Sequence, residues 1–520
     1  MIDKTLKNLP VGIQTFEKIV EQDRLYVDKT EYILKMLKLS NYIFLSRPRR
    51  FGKSLLVSTL QAYFEGRKDL FKGLYIYNAE KDWEQYPVLK FSMASAKHID
   101  AAQLRRFLGN MLEREELKWG ITSPKQDAND RLHDLILEAN RQTGKQVVVL
   151  IDEYDAPLLD VSHQDSLLHE MLQIMRNFYS PLKDCDPHLK FVFITGITKF
   201  SQLSIFSELN NLKNISMLPE FAAICGITEE EMLTQMSDYI DRFAQANEQT
   251  RDKAIADLKR QYDGYHFAWP SPDIFNPFSL LNAFAVNMLK SFWFESGTPT
   301  FLIEKLREFH TLPSDITRKE VMASAFDVPT ESMKSITPLL YQSGYVTIKA
   351  YDPLIGLYHL DIPNQEIRIG LMESLLPNYV DTSWENGITT IALMYRALYN
   401  DDLEGMLRLL QTYLLTIPQC DNTNYEGHYQ QLLYVIFSLL GRYVDVEVRT
   451  SNGRVDMVMN SGKALYLFEL KLNKSAEAAM QQIDLKDYPS RFALSGLPII
   501  KVGMNFDMER HTIEGWEIGV

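Results

Sequence analysis

The sequence predicts a protein of several domains, which begins with a three-layer α/β domain and ends with a smaller α/β domain. Up to about residue 200, strand patterns alternate with helical patterns, at 42–46, 54–64, 87–92, 101–117, 130–142, 146–151, 165–180 and 190–195. Such alternation is typical of a largely parallel sheet with helices on both faces. After residue 424, one helical pattern, three strand patterns and another helical pattern follow each other. Because 520 residues exceed one hydrophobic core, roughly two to four domains are expected.

Changes in pattern divide the chain into four predicted regions. These are the first α/β domain (1–210), a helical lid-like region (211–300), a helical and winged-helix-like region (301–417) and the C-terminal domain (425–520). Pro418 to Asn424 interrupts a leucine-rich helical stretch and is typical of a linker. The third region contains a helix, a hairpin and a second helix, which resembles a winged helix. Because no basic recognition helix is visible, docking of proteins is favoured over reading of DNA bases.

Composition restricts the class of protein. The apolar content of 46% and the charged content of 24% are those of a folded globular protein. No apolar run approaches the roughly 20 residues that cross a membrane, and the N-terminus does not resemble a signal peptide. Three distant cysteines, Cys185, Cys225 and Cys420, argue against disulfides and against a cysteine zinc cluster. We expect a cytoplasmic protein with no membrane association.

The formal net charge of −13 does not support non-specific binding of nucleic acid, which needs a locally basic surface. A local basic groove that binds nucleic acid is not excluded by the net charge. Arg47, Arg49 and Arg50 form one basic cluster, which we interpret as neighbours of nucleotide phosphates.

The most informative segment is 45–54, Leu-Ser-Arg-Pro-Arg-Arg-Phe-Gly-Lys-Ser, between a strand pattern and a helical pattern. A phosphate-binding P-loop requires this context. Gly52 lets the backbone approach a phosphate, Lys53 can reach the β- and γ-phosphates, and the Ser54 hydroxyl can ligate Mg²⁺. The start of the helix also favours an anion. Arg47 stands where the full P-loop pattern has its first glycine.

A second motif supports this prediction. Residues 146–153 read Gln-Val-Val-Val-Leu-Ile-Asp-Glu, an apolar run typical of a buried central strand, followed by two carboxylates. Asp152 is predicted to position Mg²⁺, and Glu153 to polarise the attacking water. The alternative is a core strand that ends in charged residues on reaching solvent. A third run ends in Thr195-Gly-Ile-Thr198-Lys199; it either senses the γ-phosphate or is an ordinary strand exit.

ATP and Mg²⁺ are therefore the predicted cofactors. The residues predicted to bind the nucleotide are Arg49, Arg50, Phe51, Gly52, Lys53, Ser54, Leu55 and Asp152. Ser54 and Asp152 are the predicted metal ligands, and Glu153 is the predicted catalytic base. Arg176 and Arg50 are candidates for an arginine that completes the γ-phosphate site. Ring-forming ATPases take this arginine from a neighbouring subunit, so a homo-oligomer is one of the predicted partners.

The C-terminal region carries a second chemical motif. Asp456 and Glu469 lie on neighbouring predicted strands, and Glu469 and Lys471 share a face because the strand period is two. The two carboxylates, with the Leu470 carbonyl, can hold Mg²⁺, and Lys471 can assist water in phosphodiester hydrolysis. The order α–β–β–β–α with Asp-x12-Glu-x-Lys resembles the PD-(D/E)xK nuclease superfamily, whose fold is restriction-endonuclease-like. The matching helix positions are Glu426, Gln482 and Tyr488. The alternative is a hairpin with ordinary surface charges.

Several motifs together resemble one bacterial family, the AAA-ATPase-like proteins with a C-terminal PD-(D/E)xK nuclease-like domain. They are Tyr-Val-Asp-Lys-Thr, Arg-Pro-Arg-Arg-Phe-Gly-Lys-Ser, Ile-Asp-Glu-Tyr-Asp, Thr-Gly-Ile-Thr-Lys-Phe-Ser, Tyr-Asp-Gly-Tyr-His-Phe and the C-terminal Asp…Glu-Leu-Lys. The resemblance covers nearly the whole chain. Arginine commonly replaces the first P-loop glycine in that family. The resemblance implies ATP binding at Gly52, Lys53, Ser54, Asp152 and Glu153, and a nuclease centre at Asp456, Glu469 and Lys471.

We therefore expect a P-loop ATPase of the AAA-like class that is coupled to a tethered, Mg²⁺-dependent nuclease acting on DNA or RNA, in defence or in mobile-element biology. A second hypothesis is an ATP-dependent signalling or assembly switch whose nuclease-like domain only binds. A third is a nuclease whose P-loop domain holds a nucleotide for stability alone. His266, in the aromatic turn at 261–267, is interpreted as a structural histidine.

Overall fold

A computed structural model provides the three-dimensional structure of the chain. The described residues are 6–94, 100–121, 125–159, 161, 165–198, 211–295, 300–328, 333–378, 384–415, 425–441, 445–451, 454–472, 474–485, 496–507, 509–510 and 512–519. The chain forms two compact units. The first, here the P-loop unit, comprises Met1–Trp293 and Glu320–Pro363; the second, the C-terminal unit, comprises Phe294–Lys319 and Asn364–Val520.

A parallel sheet forms the centre of the P-loop unit. Its strands are β1 (Tyr42–Ser46), β2 (Val88–Ser92), β3 (Val147–Asp152), β4 (Leu189–Gly196) and β5 (Lys213–Asn214). They lie in the order β2-β3-β4-β1-β5, and each neighbouring pair is parallel. Every residue of β3 is buried, as expected for a central strand covered on both faces. The predicted alternation of strands and helices is confirmed, with small shifts at the ends.

Helices pack on this sheet and continue beyond it. The α-helices of the P-loop unit are Phe16–Glu21, Glu31–Leu39, Lys53–Phe64, Tyr75–Ala79, Ala101–Lys118, Ala128–Thr143, Ala156–Leu159, Asp165–Tyr179, Pro181–Asp184, Glu229–Gln235, Ser237–Ala246, Arg251–Tyr262, Pro277–Val286 and Thr337–Gln342. Phe292–Glu295 lies at the unit boundary. The leucines Leu104, Leu108 and Leu112 of one long helix share a buried core with Leu89 and Phe91 of β2, because they recur at the three-to-four-residue spacing of a helix face.

Two smaller sheets complete the strands of this part of the chain. One pairs β6 (Ile227–Thr228) with β7 (Ile274–Phe275). The other contains β8 (Lys319–Val321), β9 (Thr347–Asp352) and β10 (Leu357–Asp361) in the order β8-β10-β9. The antiparallel hairpin β9–β10 is the one predicted for the winged-helix-like region, and it belongs to the P-loop unit. The helix that follows it, Gln365–Leu375, belongs to the C-terminal unit.

The C-terminal unit contains a five-stranded sheet. Its strands are β11 (Asp445–Ser451), β12 (Arg454–Asn460), β13 (Leu465–Leu472), β14 (Ile499–Asp507) and β15 (Thr512–Gly519), ordered as in the chain. Its α-helices are Thr300–Glu308, Gln365–Leu375, Trp384–Tyr399, Leu403–Leu415, Tyr425–Leu440 and Ala476–Leu485. The last helix connects β13 to β14, which are parallel and therefore need a crossover. The predicted order α–β–β–β–α is confirmed.

In the part of the chain that the structure describes, no helix combines the length and the apolar character needed to span a membrane. The predicted linker from Pro418 to Asn424 lies outside the described residues.

Candidate functional site

The P-loop has the backbone that its sequence predicts. Gly52 precedes the helix Lys53–Phe64 and has a φ of +95°, a left-handed conformation that glycine adopts without strain. The side chain of Lys53 is buried, and its Nζ donates hydrogen bonds to the carbonyls of Arg47 and Pro48, both at 2.9 Å. Burial lowers the pKa of Lys53. The ammonium group therefore lies inside the loop, at the start of the helix, where a P-loop lysine meets phosphate.

Arg47 has a structural role that the sequence interpretation missed. We interpreted it as a neighbour of nucleotide phosphates, and this was wrong, because its side chain is only 2% exposed. Its Nη1 donates to the carbonyls of Ser46 (2.9 Å) and Ser216 (2.8 Å), and its Nη2 donates to the carbonyl of Phe221 (2.9 Å). The guanidinium also lies 4.3 Å from the ring centroid of Phe267. Arg47 therefore ties the P-loop to distant segments of the unit.

The other two arginines of the cluster are exposed. The guanidinium of Arg50 lies 4.6 Å from the centroid of the Phe278 ring, and its φ is +67°. The carbonyl of Arg49 accepts a hydrogen bond from the Trp293 indole at 3.3 Å. Both guanidinium groups thus remain at the surface of the loop, as the predicted contact with nucleotide phosphates requires.

The remaining predicted loop residues differ in burial. Phe51 is buried and meets Tyr265 and Phe267 edge to face, with centroids 4.9 and 5.1 Å away. Its side chain is a core residue, so only its backbone is placed to contact a nucleotide. Ser54 and Leu55 are half-buried in the first turn of the helix. The helix start thus holds Ser54 as the motif predicts, and its role as a Mg²⁺ ligand stays a prediction.

The two predicted carboxylates lie at the end of β3. Strand β4 separates β3 from β1, so the carboxyl ends of all three strands meet at one edge of the sheet, the usual binding edge of such folds. Asp152 is buried, and among the described residues its Oδ1 has no hydrogen-bond partner. Glu153 has a φ of +52°, an uncommon and strained conformation for this residue type, and such strain is enriched at functional sites. Burial, reinforced by Asp152, raises the pKa of Glu153.

A third carboxylate, Asp155, was not predicted to act at this edge. It is fully buried, and its Oδ2 accepts hydrogen bonds from the Ile197 N–H (2.9 Å), the Thr198 N–H (2.7 Å) and the Thr198 hydroxyl (2.8 Å). Burial raises the pKa of Asp155. The hydroxyl of Tyr154 donates to the Thr198 carbonyl at 3.0 Å. The sequence signal was present in the run Ile-Asp-Glu-Tyr-Asp, whose last residue is Asp155.

This network bears on the third apolar run of the sequence. The Thr195 hydroxyl donates to the Leu45 carbonyl of β1 at 2.8 Å, and the Thr198 hydroxyl donates to Asp155. Both threonines therefore connect strand ends within the fold. Their predicted role in sensing the γ-phosphate stays a prediction, and Lys199 lies outside the described residues.

Two other candidates lie away from these contacts. His266 is buried; its Nε2 lies 2.7 Å from Asp273 Oδ1, and its Nδ1 lies 3.0 Å from the Ser271 hydroxyl. Both ring nitrogens therefore have partners, as a structural histidine requires, and the role itself stays a prediction. Arg176 is exposed on the helix Asp165–Tyr179, and its role as the γ-phosphate arginine stays a prediction.

In the C-terminal unit, strand pairing brings the predicted acidic residues together. Asp456 of β12 and Glu469 of β13 are directly opposite in the antiparallel ladder, so their side chains are neighbours on one face. Lys471 Nζ lies 2.8 Å from Glu469 Oε1 and 3.5 Å from Gln482 Oε1. Burial, reinforced by Asp456, raises the pKa of Glu469 above its ordinary value. The structure thus unites Asp456, Glu469, Lys471 and Gln482.

The helix Ala476–Leu485 approaches this face closely. Gly503 of β14 pairs with Glu469 of β13. A Cβ at Gly503 would lie 2.5 Å from the Ala476 carbonyl oxygen and 2.7 Å from Met480 Cγ. Glycine is required there because any side chain would push the helix, and with it Gln482, away from the sheet. The side chain of Glu426, and Tyr488, lie outside the described residues.

The donor set of this cluster fits Mg²⁺, which prefers oxygen ligands and keeps several of its waters. In the described ranges, no group of three or more His, Cys, Asp or Glu side chains is arranged to hold a metal ion. The buried Asp456 and Glu469 would therefore be the side-chain ligands, as in the predicted set. The P-loop residues Ser54 and Asp152 likewise offer oxygen atoms alone.

Comparison with known proteins identifies both domains. A family model described as a predicted AAA-ATPase matches residues 10–206, and a model of the PD-(D/E)XK nuclease superfamily matches residues 424–516. The chain belongs to the family that joins these two domains. It is similar to a protein of Azotobacter chroococcum mcd 1 described as "Uncharacterized protein in vnfD 5'region", with 34% identity over 526 residues. The match covers 98% of this chain and 99% of the relative, so the whole architecture is shared.

Proposed function

We propose that the chain binds and hydrolyses ATP at the P-loop, and that its C-terminal domain cleaves nucleic acid with a divalent metal ion. One observation carries the nuclease proposal: Asp456 and Glu469 are opposite each other, with the Lys471 ammonium 2.8 Å from Glu469. A hairpin with ordinary surface charges would expose these groups, whereas all three are buried. Burying two carboxylates and an ammonium together costs folding free energy, and such clusters occur preferentially at functional sites.

In the ATP site, each residue has a distinct task. Lys53 would exchange its two carbonyl partners for the β- and γ-phosphates, which offer a stronger charge-assisted hydrogen bond. Ser54 and Asp152 would hold Mg²⁺, which when bound neutralises charge on the phosphates. Glu153 would orient the attacking water and accept its proton, and its raised pKa makes it a stronger base than an ordinary glutamate.

In the C-terminal site, Asp456 and Glu469 would hold Mg²⁺, which when bound polarises the scissile phosphate. Lys471 would orient the attacking water and stabilise the negative charge that develops on the phosphate. Gln482, 3.5 Å from Lys471 Nζ, would position that ammonium. Coupling of the two sites is part of the proposal, since one chain carries both domains.

The test is cleavage of single- and double-stranded DNA and RNA with Mg²⁺ or Mn²⁺, with and without ATP. Glu469→Gln keeps the size of the side chain but removes its charge, and it should abolish cleavage. Glu477→Gln is the matched control, because Glu477 is exposed on the adjacent helix; it should cut like the wild type. Dependence of cleavage on ATP, lost in Lys53→Ala, would support coupling.

Two outcomes would redirect the assignment. ATP hydrolysis without cleavage of any nucleic acid would favour the signalling or assembly switch, in which the C-terminal domain only binds. Cleavage that is unchanged in Lys53→Ala would favour a nuclease whose nucleotide serves stability alone. Lys53→Ala should abolish ATP binding, and wild-type affinity in this variant would refute the P-loop assignment.

A further inference from the structure

A cleft of about 540 Å³ lies between β2 and the helix Ala101–Lys118 in the P-loop unit. This volume is in the range of ligand sites in proteins. None of the residues predicted to bind ATP lines it. Its wall includes Lys90 from β2 and Arg106, Phe107, Asn110 and Arg114 from the helix.

The helix presents these side chains because its other face is buried. Arg106, Asn110 and Arg114 are spaced four residues apart and therefore share one face. The leucines at 104, 108 and 112 lie in the core under β2 and β3. The rotation of the helix is thus set by packing, and its basic face is held against the cleft.

The charges of the wall are not balanced internally. Arg106 and Arg114 are exposed, and neither forms an ion pair with any residue that the structure describes. The acidic residue of the wall, Glu115, is buried; its Oε1 binds the Lys118 ammonium at 2.6 Å, and its Oε2 has no hydrogen-bond partner among the described residues. Lys90 is half-buried, and burial lowers its pKa. Asp152 and Glu65 already lie near enough to Lys90 to oppose this shift, so an anion in the cleft would chiefly stabilise the two arginines.

We infer that this cleft binds the phosphodiester backbone of a nucleic-acid strand. Arg106 and Arg114 are eight residues apart, about 12 Å along the helix axis, which is farther than one phosphate group can bridge. A strand with successive phosphates meets both. Guanidinium groups suit phosphate oxygens, and the half-buried side chain of Phe107, which packs against the core, lines the same cleft. This binding does not depend on the proposed nuclease activity.

The test uses the full chain carrying Glu469→Gln, in EDTA, so that cleavage does not interfere. A fluorescein-labelled single-stranded DNA of about 12 nucleotides, within the usual site sizes, is titrated by fluorescence anisotropy at several salt concentrations. Arg106→Glu and Arg114→Glu should each weaken binding about tenfold and reduce the salt slope by about one. Arg105→Glu is the matched control, because it makes the same charge change at an exposed position of the same helix outside the cleft. It should change affinity less than about twofold.

Each remaining outcome overturns the inference. Equal losses in all three variants would show an effect of net charge, and no loss in any would show that DNA binds elsewhere. Displacement of the DNA by polyglutamate at a lower concentration of anionic groups than unlabelled DNA requires would assign the cleft to an acidic peptide. Displacement by a mononucleotide at equal phosphate concentration would assign it to a free nucleotide. Arg106→Ala and Arg114→Ala give a second, milder test, and each should weaken DNA binding about threefold.

Failure of this inference is distinguishable from failure of the nuclease proposal. If the DNA binds through Arg106 and Arg114 but the chain with intact Glu469 cuts nothing, the binding inference is supported and the nuclease proposal is refuted. If that chain cuts nucleic acid, yet the two arginine substitutions leave DNA binding unchanged, the binding inference is refuted and the nuclease proposal is supported.

Discussion

Replacing Arg47 by glycine distinguishes the sequence motif from the structure. The substitution Arg47→Gly completes the pattern G-x-x-x-x-G-K-S, so the motif alone predicts an equal or better nucleotide site. The structure predicts a damaged one, because Arg47 is buried and holds carbonyls of Ser46, Ser216 and Phe221. Glycine would leave these carbonyls without their donor and open a cavity beside Phe267.

The magnitude follows from the contacts. Hydrogen bonds from a charged donor contribute about 1.5–3 kcal/mol each, and the contact with the Phe267 ring adds about 1–2 kcal/mol. Burial opposes them: it lowers the pKa of Arg47 from 12.5 to about 10, a cost of about 3 kcal/mol for the charged form. A net loss of at least about 3 kcal/mol, the lower end of this sum, is expected for Arg47→Gly.

Hydrogen exchange read by mass spectrometry measures this locally, on peptides that cover 42–52 and 213–226. A loss of about 3 kcal/mol corresponds to roughly 100-fold faster exchange. Arg49→Gly is the control, because Arg49 is exposed in the same loop; it should change exchange only about twofold. Unchanged exchange in Arg47→Gly, together with tighter ATP binding, would refute the reasoning.

Three further predictions concern other buried carboxylates. Asp155→Ala should lower the free energy of unfolding by about 3 kcal/mol, because three donors from residues 197–198 lose their acceptor; in thermal denaturation, Asp155→Asn should lose less. Burial raises the pKa of Asp263 to about 7, so the contribution of Asp263 to stability should fall as pH rises from about 4 to 7 and then level off. Denaturant midpoints of Asp263→Asn should lack that fall, and an identical pH profile would contradict the assignment. Mn²⁺ at 100 times its Kd should raise the free energy of unfolding of the wild type by about 2.7 kcal/mol, measured as a higher melting midpoint; Glu469→Gln should lose this shift and Glu477→Gln should keep it.

Much of the nuclease-like cluster could be predicted because it depends on local rules. A strand period of two places Glu469 and Lys471 on one face, and short turns between β11, β12 and β13 leave antiparallel pairing as the natural arrangement. The exact register, Asp456 opposite Glu469, was not contained in those rules. A shift by one residue would have put Asp456 on the other face.

The role of Arg47 could not be predicted, because its partners are far away in the sequence. Its hydrogen bonds to Ser216 and Phe221 cross 169 and 174 residues. A basic residue next to Gly-Lys-Ser suggests phosphate contact when only neighbours are considered. The same holds for the basic cleft, since Lys90 joins Arg106 and Arg114 only when the helix Ala101–Lys118 packs along β2.

The sequence by itself determined the order of elements, the P-loop backbone and the chemistry at each strand end. Hydrophobic periodicity and glycine conformation act over a few residues, so they can be read directly. The tertiary structure alone decided which charged groups are buried and which meet. Arg47 is buried and binds carbonyls of distant segments, and Asp155 accepts hydrogen bonds from residues 197–198. The hairpin β9–β10 belongs to the P-loop unit. These outcomes depend on packing between distant segments, where the free energy of burial is settled.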